Sequence, residues 1–350
     1  MKQWLKGAMH VHSAMSDSLG TPQTAVDAYY KCGYDFMFFT DHKTNFDVSQ
    51  IANKYDMLVM GGVELDSGQD PFPNYDYNKE PKEDWVKKLA TNTMENEFGD
   101  QTWLHINALG VNNTNIKFDI IQGQMGKTVA NATDAIEKAG GVPMVCHPNW
   151  LFSPSFRELL DSKRNFLLEI GCSAESYFVG TFSKESPENI WDILLSKGRT
   201  VYAAATDDAH HYFKTEQEPW LDYDCGFVYV FAEKNEESVK EALRNGCFYA
   251  SNGIKLADYS VTDKKISVKV EPEKDRKYCI MFKGKMGLPL KCVYGTEGEY
   301  SFQNIQEEEY VRVKVVSNKI NSSYFSFLNY TYNEACYLQP VFLDGRKTMI

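Results

Sequence analysis

The sequence has no uninterrupted apolar run of the ~18 residues that a membrane helix needs, and no apolar stretch follows Met1-Lys2-Gln3-Trp4. The expectation is a chain with neither signal peptide nor membrane span. Clusters of Lys and Arg are also missing. With 37 basic against 48 acidic residues the formal net charge is −11, which argues against an extended nucleic-acid interface. The eight cysteines form no CxxC pair, and several sit in apolar stretches such as Val145-Cys146 and Tyr278-Cys279-Ile280. They read as free thiols in a reducing cytoplasm. Low-complexity segments are absent, and a composition that is 43% hydrophobic and 14% aromatic is ample for a core. Histidine is scarce: there are seven, none beyond His211.

What is present over residues 1–253 is a repeating rhythm. A short apolar run ends in a polar residue and gives way to a helix-like stretch. The runs include Asp35–Thr40, Met57–Val63, Val142–Cys146, Phe166–Leu168 and Val201–Ala205. Continuous apolar runs suit strands buried on both faces, as in parallel sheets. Helices are expected from Thr21-Pro22 to Gly33, from Lys127 to Ala139, and from Glu188 to Lys197, each closed by glycine. Residues 67–100 break the rhythm and read as an insertion or long loop, with a short helix near Trp85–Leu89. From 254 to 350 the pattern alternates instead, as in Ile266–Val270 and Tyr310–Val315, which predicts a small all-β, sandwich-like domain. The repeated units predict an α/β barrel for the first part.

The histidines choose the ends of the apolar runs. His10 and His12 are spaced so that both point to one face of a strand, and Asp208 and His210 repeat that spacing. Asp41-His42, Glu64 and His147 each follow a run, at the ends where parallel strands converge on a site. Gathering Asp17, Asp41, Glu64 and Asp208 at one mouth without cations would be strongly repulsive, and metal ions remove that conflict. Imidazole with carboxylate suits Mn, Zn or Fe more than Ca or Mg. His105, in Leu104-His105-Ile106, would by itself read as a core histidine. Lys43, Asn149 and His211 follow expected ligands at the mouth and are candidate substrate contacts. Trp150, Tyr177, Phe178 and Tyr212 are a candidate aromatic wall, and Asp66 and Asp70 read as loop acids.

Taken together, His10-Val-His12…Asp17, Thr40-Asp41-His42, Gly62-Val-Glu64, His105, Cys146-His147-Pro148 and Asp208-Ala-His210 resemble the PHP (polymerase and histidinol phosphatase) family over roughly residues 5–250. The segment Glu241–Ser251 resembles the join to a β domain in its standalone bacterial members. The resemblance implies a distorted (β/α)7 TIM-like barrel carrying two to three divalent ions. It would place the first ion on His10, His12, Glu64 and Asp208, the second on Glu64, His105 and His147, and the third on Asp17, His42 and His210. Asp41 would orient a ligand or shuttle a proton. Glu169 and Asp207 would support ligands rather than bind metal. The chain departs from the family in having Asp207 where Ser or Gly is more usual, and His211 where Arg or Lys is expected, which removes one cationic phosphate contact.

The implied chemistry is phosphoester hydrolysis of a small molecule by a metal-bridging hydroxide, with Asp41, Glu64 and Asp208 in catalytic roles. The alternatives are hydrolysis of an amide or carbamate by the same site, or a non-catalytic metal-containing binding module. The expected partner is a small, phosphorylated substrate, without nucleic acid or membrane and with self-association left open.

Overall fold

A computed structural model of the chain describes residues 1–44, 47–52, 55–67, 103–112, 115–149, 153–172, 186–216, 221–303, 308–322 and 331–346. The long loop expected over 67–100 lies outside the described residues except for Ser67. So do Asp70, Trp150, Tyr177 and Phe178. No described helix is long and apolar enough to cross a membrane.

The helices form where their start and stop signals fall. Thr21 caps α1 (Pro22–Lys31) through its hydroxyl, Pro22 holds the first helical position, and Gly33 leaves it at φ +74°. After α2 (Ser49–Ala52) come α3 (Met125–Lys138), α4 (Phe156–Asp161), α5 (Pro187–Ser196) and α6 (Glu236–Arg244). Ser155 and Glu158 form a reciprocal capping box on α4, and Ser186 caps α5.

The strands build two mixed sheets instead of the expected closed barrel. The first joins β1 (Gln3–Ala8), β2 (Phe36–Phe38) and β3 (Leu58–Met60) in parallel. On its other side β1 pairs antiparallel with β9 (Phe227–Ala232), and β9 with β10 (Phe248–Ser251). The second has the order β4 (Gly62–Asp66), β5 (His105–Leu109), β6 (Val142–Val145), β7 (Leu167–Cys172) and β8 (Tyr202–Thr206). Here β4–β5 and β5–β6 are antiparallel, and only β6–β7–β8 is parallel. The (β/α)7 TIM-like barrel is therefore overturned. A strand buried on both faces reads as a continuous apolar run whichever way its neighbour points, so the runs could not give direction. No ladder between the sheets closes the ring among the described residues. They meet through two isolated bridges, Val11 with Ala209 and His42 with Glu64.

Beyond β10 the regular elements among the described residues are strands β11 (Leu256–Val261), β12 (Lys265–Val270), β13 (Tyr278–Lys283), β14 (Pro289–Tyr294), β15 (Glu297–Ser301), β16 (Tyr310–Ser322), β17 (Thr331–Leu338) and β18 (Val341–Phe342), with one short 3-10 turn. Strand pairing runs on from β10 through β17, β16 and β13 to β14, so these strands extend the first sheet. β11, β12 and β15 form a third sheet, and the faces between enclose a second apolar core including Ile266, Phe282 and Val313.

Polar side-chain contacts tie this later part of the chain to β8 and α5. Gln339 closes the open edge of β8: its amide nitrogen donates to the Ala203 carbonyl at 2.7 Å, and its oxygen accepts from the Ala203 N–H at 2.8 Å. Arg312, fully buried on β16, donates to both Asp192 oxygens at 2.7 and 2.6 Å and to Glu188 at 2.7 Å, all on α5. Lys283 and Lys314 also reach Glu188. Replacing one partner of a buried pair strands the other charge. Arg312→Met is expected to lower the unfolding free energy in urea by about 3 kcal/mol. A loss below about 1 kcal/mol would show that Lys283 and Lys314 alone neutralise the two carboxylates.

Candidate metal centre

Each sequence-marked residue reaches the seam between the two sheets by a local device. Past β1 the chain stays extended, so alternate side chains part company: Val11 enters an apolar cluster while His10 and His12 face the seam. Thr40 fixes this stretch, its hydroxyl accepting from the Val11 N–H at 3.0 Å. Glu64 sits mid-strand on β4, His105 opens β5, and His147 follows β6. Lys43, His147 and Asp208 hold positive φ angles of 53°, 26° and 51°. Such backbone is disfavoured for non-glycine residues by about 1–3 kcal/mol, and it turns the side chains of His147 and Asp208 out of strand register.

Glu64 is at the centre and is 1% exposed. Its Oε2 lies 3.2 Å from His10 Nε2, 3.2 Å from His12 Nε2 and 3.3 Å from His42 Nδ1. Its Oε1 lies 2.8 Å from His105 Nδ1 and 3.6 Å from His147 Nε2. Asp208 Oδ1 is 3.2 Å from His10 and 3.1 Å from His12. Asp17 closes the outer side, 3.5 Å from His42 and 3.3 Å from His210. Among the described residues, potential ligand atoms fall within 4.8 Å of one another in four overlapping sets: His10, His12, Glu64 and Asp208; His42, Glu64 and His105; His12, Asp17, His42 and His210; and His10, Cys146 and Glu169.

A ring of acids and hydroxyls holds these groups. Glu169 is fully buried; it accepts from His10 Nδ1 at 2.6 Å, from the Thr206 hydroxyl at 2.7 Å and from the His147 N–H at 2.6 Å. Asp207 accepts from the Tyr29 hydroxyl and from the backbone of Asp224, Cys225 and Gly226. Gly226 is required there, since a Cβ would fall 2.3 Å from the Thr206 carbonyl. Asp41 accepts from the Ser13 N–H and the Ser13 and Ser16 hydroxyls, and so ties down the loop that carries Asp17.

The candidate substrate contacts are placed differently. Lys43 is exposed and paired with Asp66 at 2.8 Å. His211 pairs with Asp222 at 2.5 Å. Asn149 is buried, and Tyr212 donates to the His12 carbonyl, which makes it a brace for the histidine loop. Sequence reading missed Asp222, whose carboxylate accepts from the N–H groups of both His210 and His211. It stands twelve residues beyond His210 in a stretch without periodicity, so nothing local marked it.

The electrostatics show what the arrangement lacks as bare protein. Burial opposes ionisation of Glu64, but His42, His10 and His105 outweigh it and hold the carboxyl well below its usual range. Asp208 is likewise lowered against burial by His10, His12 and His210. Burial opposes protonation of His10, yet Asp208, Glu169 and Glu64 raise it well above the ordinary value. Burial and His12 disfavour protonated His210, while Asp17 and Asp208 push it up to about 9. Even so, among the described residues His12 Nε2, His42 Nδ1 and Glu64 Oε1 are buried and meet their opposite charges at ion-pair distance without a well-directed hydrogen bond. Lone pairs converging from imidazoles and carboxylates fit divalent cations of the Mn, Zn or Fe type. Imidazole nitrogens ligate one ion each, whereas a carboxylate can bridge two, and Glu64 belongs to two of the four sets.

No family model and no curated protein sequence matches the chain. Among solved structures it is similar to a two-domain protein containing a predicted PHP-like metal-dependent phosphoesterase from Bacteroides vulgatus, at 16% identity and TM-score 0.48 over 95% of each chain. It is also similar to one designated a metal-dependent phosphoesterase from Bifidobacterium adolescentis, at 14% identity and TM-score 0.36 over 62% of this chain and 93% of that one. A third is an amidohydrolase from Chromobacterium violaceum, at 13% identity and TM-score 0.38 over 58% of this chain and 87% of that one. At these values nothing about the site follows from the likenesses.

The protonated imidazoles set a pH signature. His210, with its pKa raised, contributes stability that is complete below 6.5 and lost as pH climbs through about 9. The lowered carboxylates act in the opposite direction and only at acid pH. The protein in EDTA should therefore melt at progressively lower temperature from pH 6.5 to 9. With Mn²⁺ the decline should vanish, because ions replace the protons and bind more tightly as imidazoles deprotonate. Equal pH profiles with and without Mn²⁺ would count against the cluster as a cation site.

Proposed function

We propose that the chain is a metal-dependent hydrolase, and specifically a phosphoesterase acting on a small-molecule phosphate ester. The observation that carries this is the buried Glu64 carboxylate shared between two sets of ligand-type groups, with a third set alongside. His10, His12, Glu64 and Asp208 would hold one ion, Glu64 with His105 and His147 a second, and Asp17, His42 and His210 a third. Bound ions supply an acidified water and concentrated positive charge, which suits a phosphoryl group gaining charge during in-line displacement.

The chain's own residues prepare that site. Glu169 holds His10 by Nδ1, which directs Nε2 to the cluster. Asp207 anchors the end of β8, which keeps Asp208 on the seam. Asp41 positions the loop bearing Asp17, and Asp222 fixes His210 by its backbone. Lys43, Asn149 and His211 lie beside these groups in sequence and are the residues proposed to meet substrate. With Mn²⁺, His12→Ala and Glu64→Gln should each lower kcat/KM toward the preferred phosphate ester at least ~100-fold. Glu169→Gln should weaken Mn²⁺ binding by about 10–100-fold while the protein stays folded. Protein that carries two or more ions, leaves a panel of phosphate mono- and diesters intact and cleaves an amide or carbamate would refute the phosphoester reading and keep the hydrolase one.

A further inference from the structure

β5 presents a second polar side chain to the centre, one that the proposed ligand sets leave unused. Asn107 is fully buried, and among the described residues neither its amide nitrogen nor its amide oxygen has a hydrogen-bond partner. An amide buried in that way destabilises a fold by about 1–3 kcal/mol, and a leucine of nearly the same shape would not.

Its position is specific. Asn107 stands directly opposite Glu64 in the antiparallel β4–β5 ladder, so the two side chains leave the sheet on the same face and within reach of each other. His105, two residues earlier on β5, shares that face. The alternate residues Ile106 and Ala108 belong to the apolar core. Glu64 Oε1 is itself buried, with imidazole nitrogens of His105 and His147 at 2.8 and 3.6 Å but no well-directed hydrogen bond among the described residues. The Asn107 amide and the Glu64 carboxylate thus stand side by side on neighbouring strands, and the amide has no other partner among the described residues.

We propose that Asn107 is a positioning residue for Glu64, its amide N–H donating to the Glu64 carboxylate when ions occupy the centre. The proposal rests on the metal-dependent reading above. An amide is suited to the task, because it donates at any pH and brings no charge to compete for the cations. The unmet amide is then a stability cost carried by the ion-free chain and relieved on loading.

The test compares wild type with Asn107→Leu in two measurements: thermal stability in EDTA, and Mn²⁺ affinity from a titration that follows free Mn²⁺ by electron paramagnetic resonance. The expected result is an ion-free melting temperature equal to or above wild type, together with Mn²⁺ affinity lowered about 10–100-fold. A merely structural residue would not move the two in opposite directions. Should the leucine variant fail to fold, Asn107→Ala supplies the same affinity comparison, with a fall expected again. Affinity within about twofold of wild type in either folded variant overturns the assignment. Wild type that binds no Mn²⁺ would instead bring down the metal-dependent reading itself.

Discussion

A carboxylate that is 1% exposed and within 3.6 Å of five imidazole nitrogens cannot be treated as one more ion pair. Burying Glu64 is unfavourable unless charge of the opposite sign comes with it. In the bare chain that charge is a set of protons on crowded histidines, and like charges then face one another, as His12 does His210 with ring centroids 4.2 Å apart. Divalent ions resolve both conflicts, because they neutralise the carboxylates and take up the imidazole lone pairs at once.

The rest of the fold can be understood as support for that arrangement. The ligand-type groups come from both sheets, and the sheets touch through the Val11–Ala209 and His42–Glu64 bridges, which lie in the cluster itself. A seam between two sheets would drift unless its edges were held. Gln339 occupies the free edge of β8, and Arg312 fastens α5 to β16. The later strands therefore do more than follow the site in sequence; they fix the strand that delivers Asp208.

The convergence of the candidate ligand residues was legible in the sequence alone. The i, i+2 pairs His10/His12 and Asp208/His210, and the acids and histidines closing apolar runs, do converge in space, because strand ends are where a short chain segment can aim a polar group out of a core. The helices were visible from Thr21-Pro22, Gly33 and Gly198. The barrel was misread for a definite reason: β4, β5 and β6 are buried like parallel strands but pair antiparallel, and apolar runs carry no direction. Asp222 and Asn107 were not visible, the first because it acts from an irregular loop and the second because a single Asn inside Ile106-Asn107-Ala108 shows its significance only through its register with Glu64. Asp41, expected beside the ligand groups, accepts from Ser13 and Ser16.

The central claim is that Glu64 is a shared ligand of neighbouring cations. Anomalous X-ray scattering from crystals grown with Mn²⁺ tests it most directly. The account predicts two strong peaks flanking Glu64, one in contact with each carboxylate oxygen, the first also touching His10, His12 and Asp208. An anomalous map with no peak at the Glu64 carboxylate, and the histidines still closed upon it, would contradict the account.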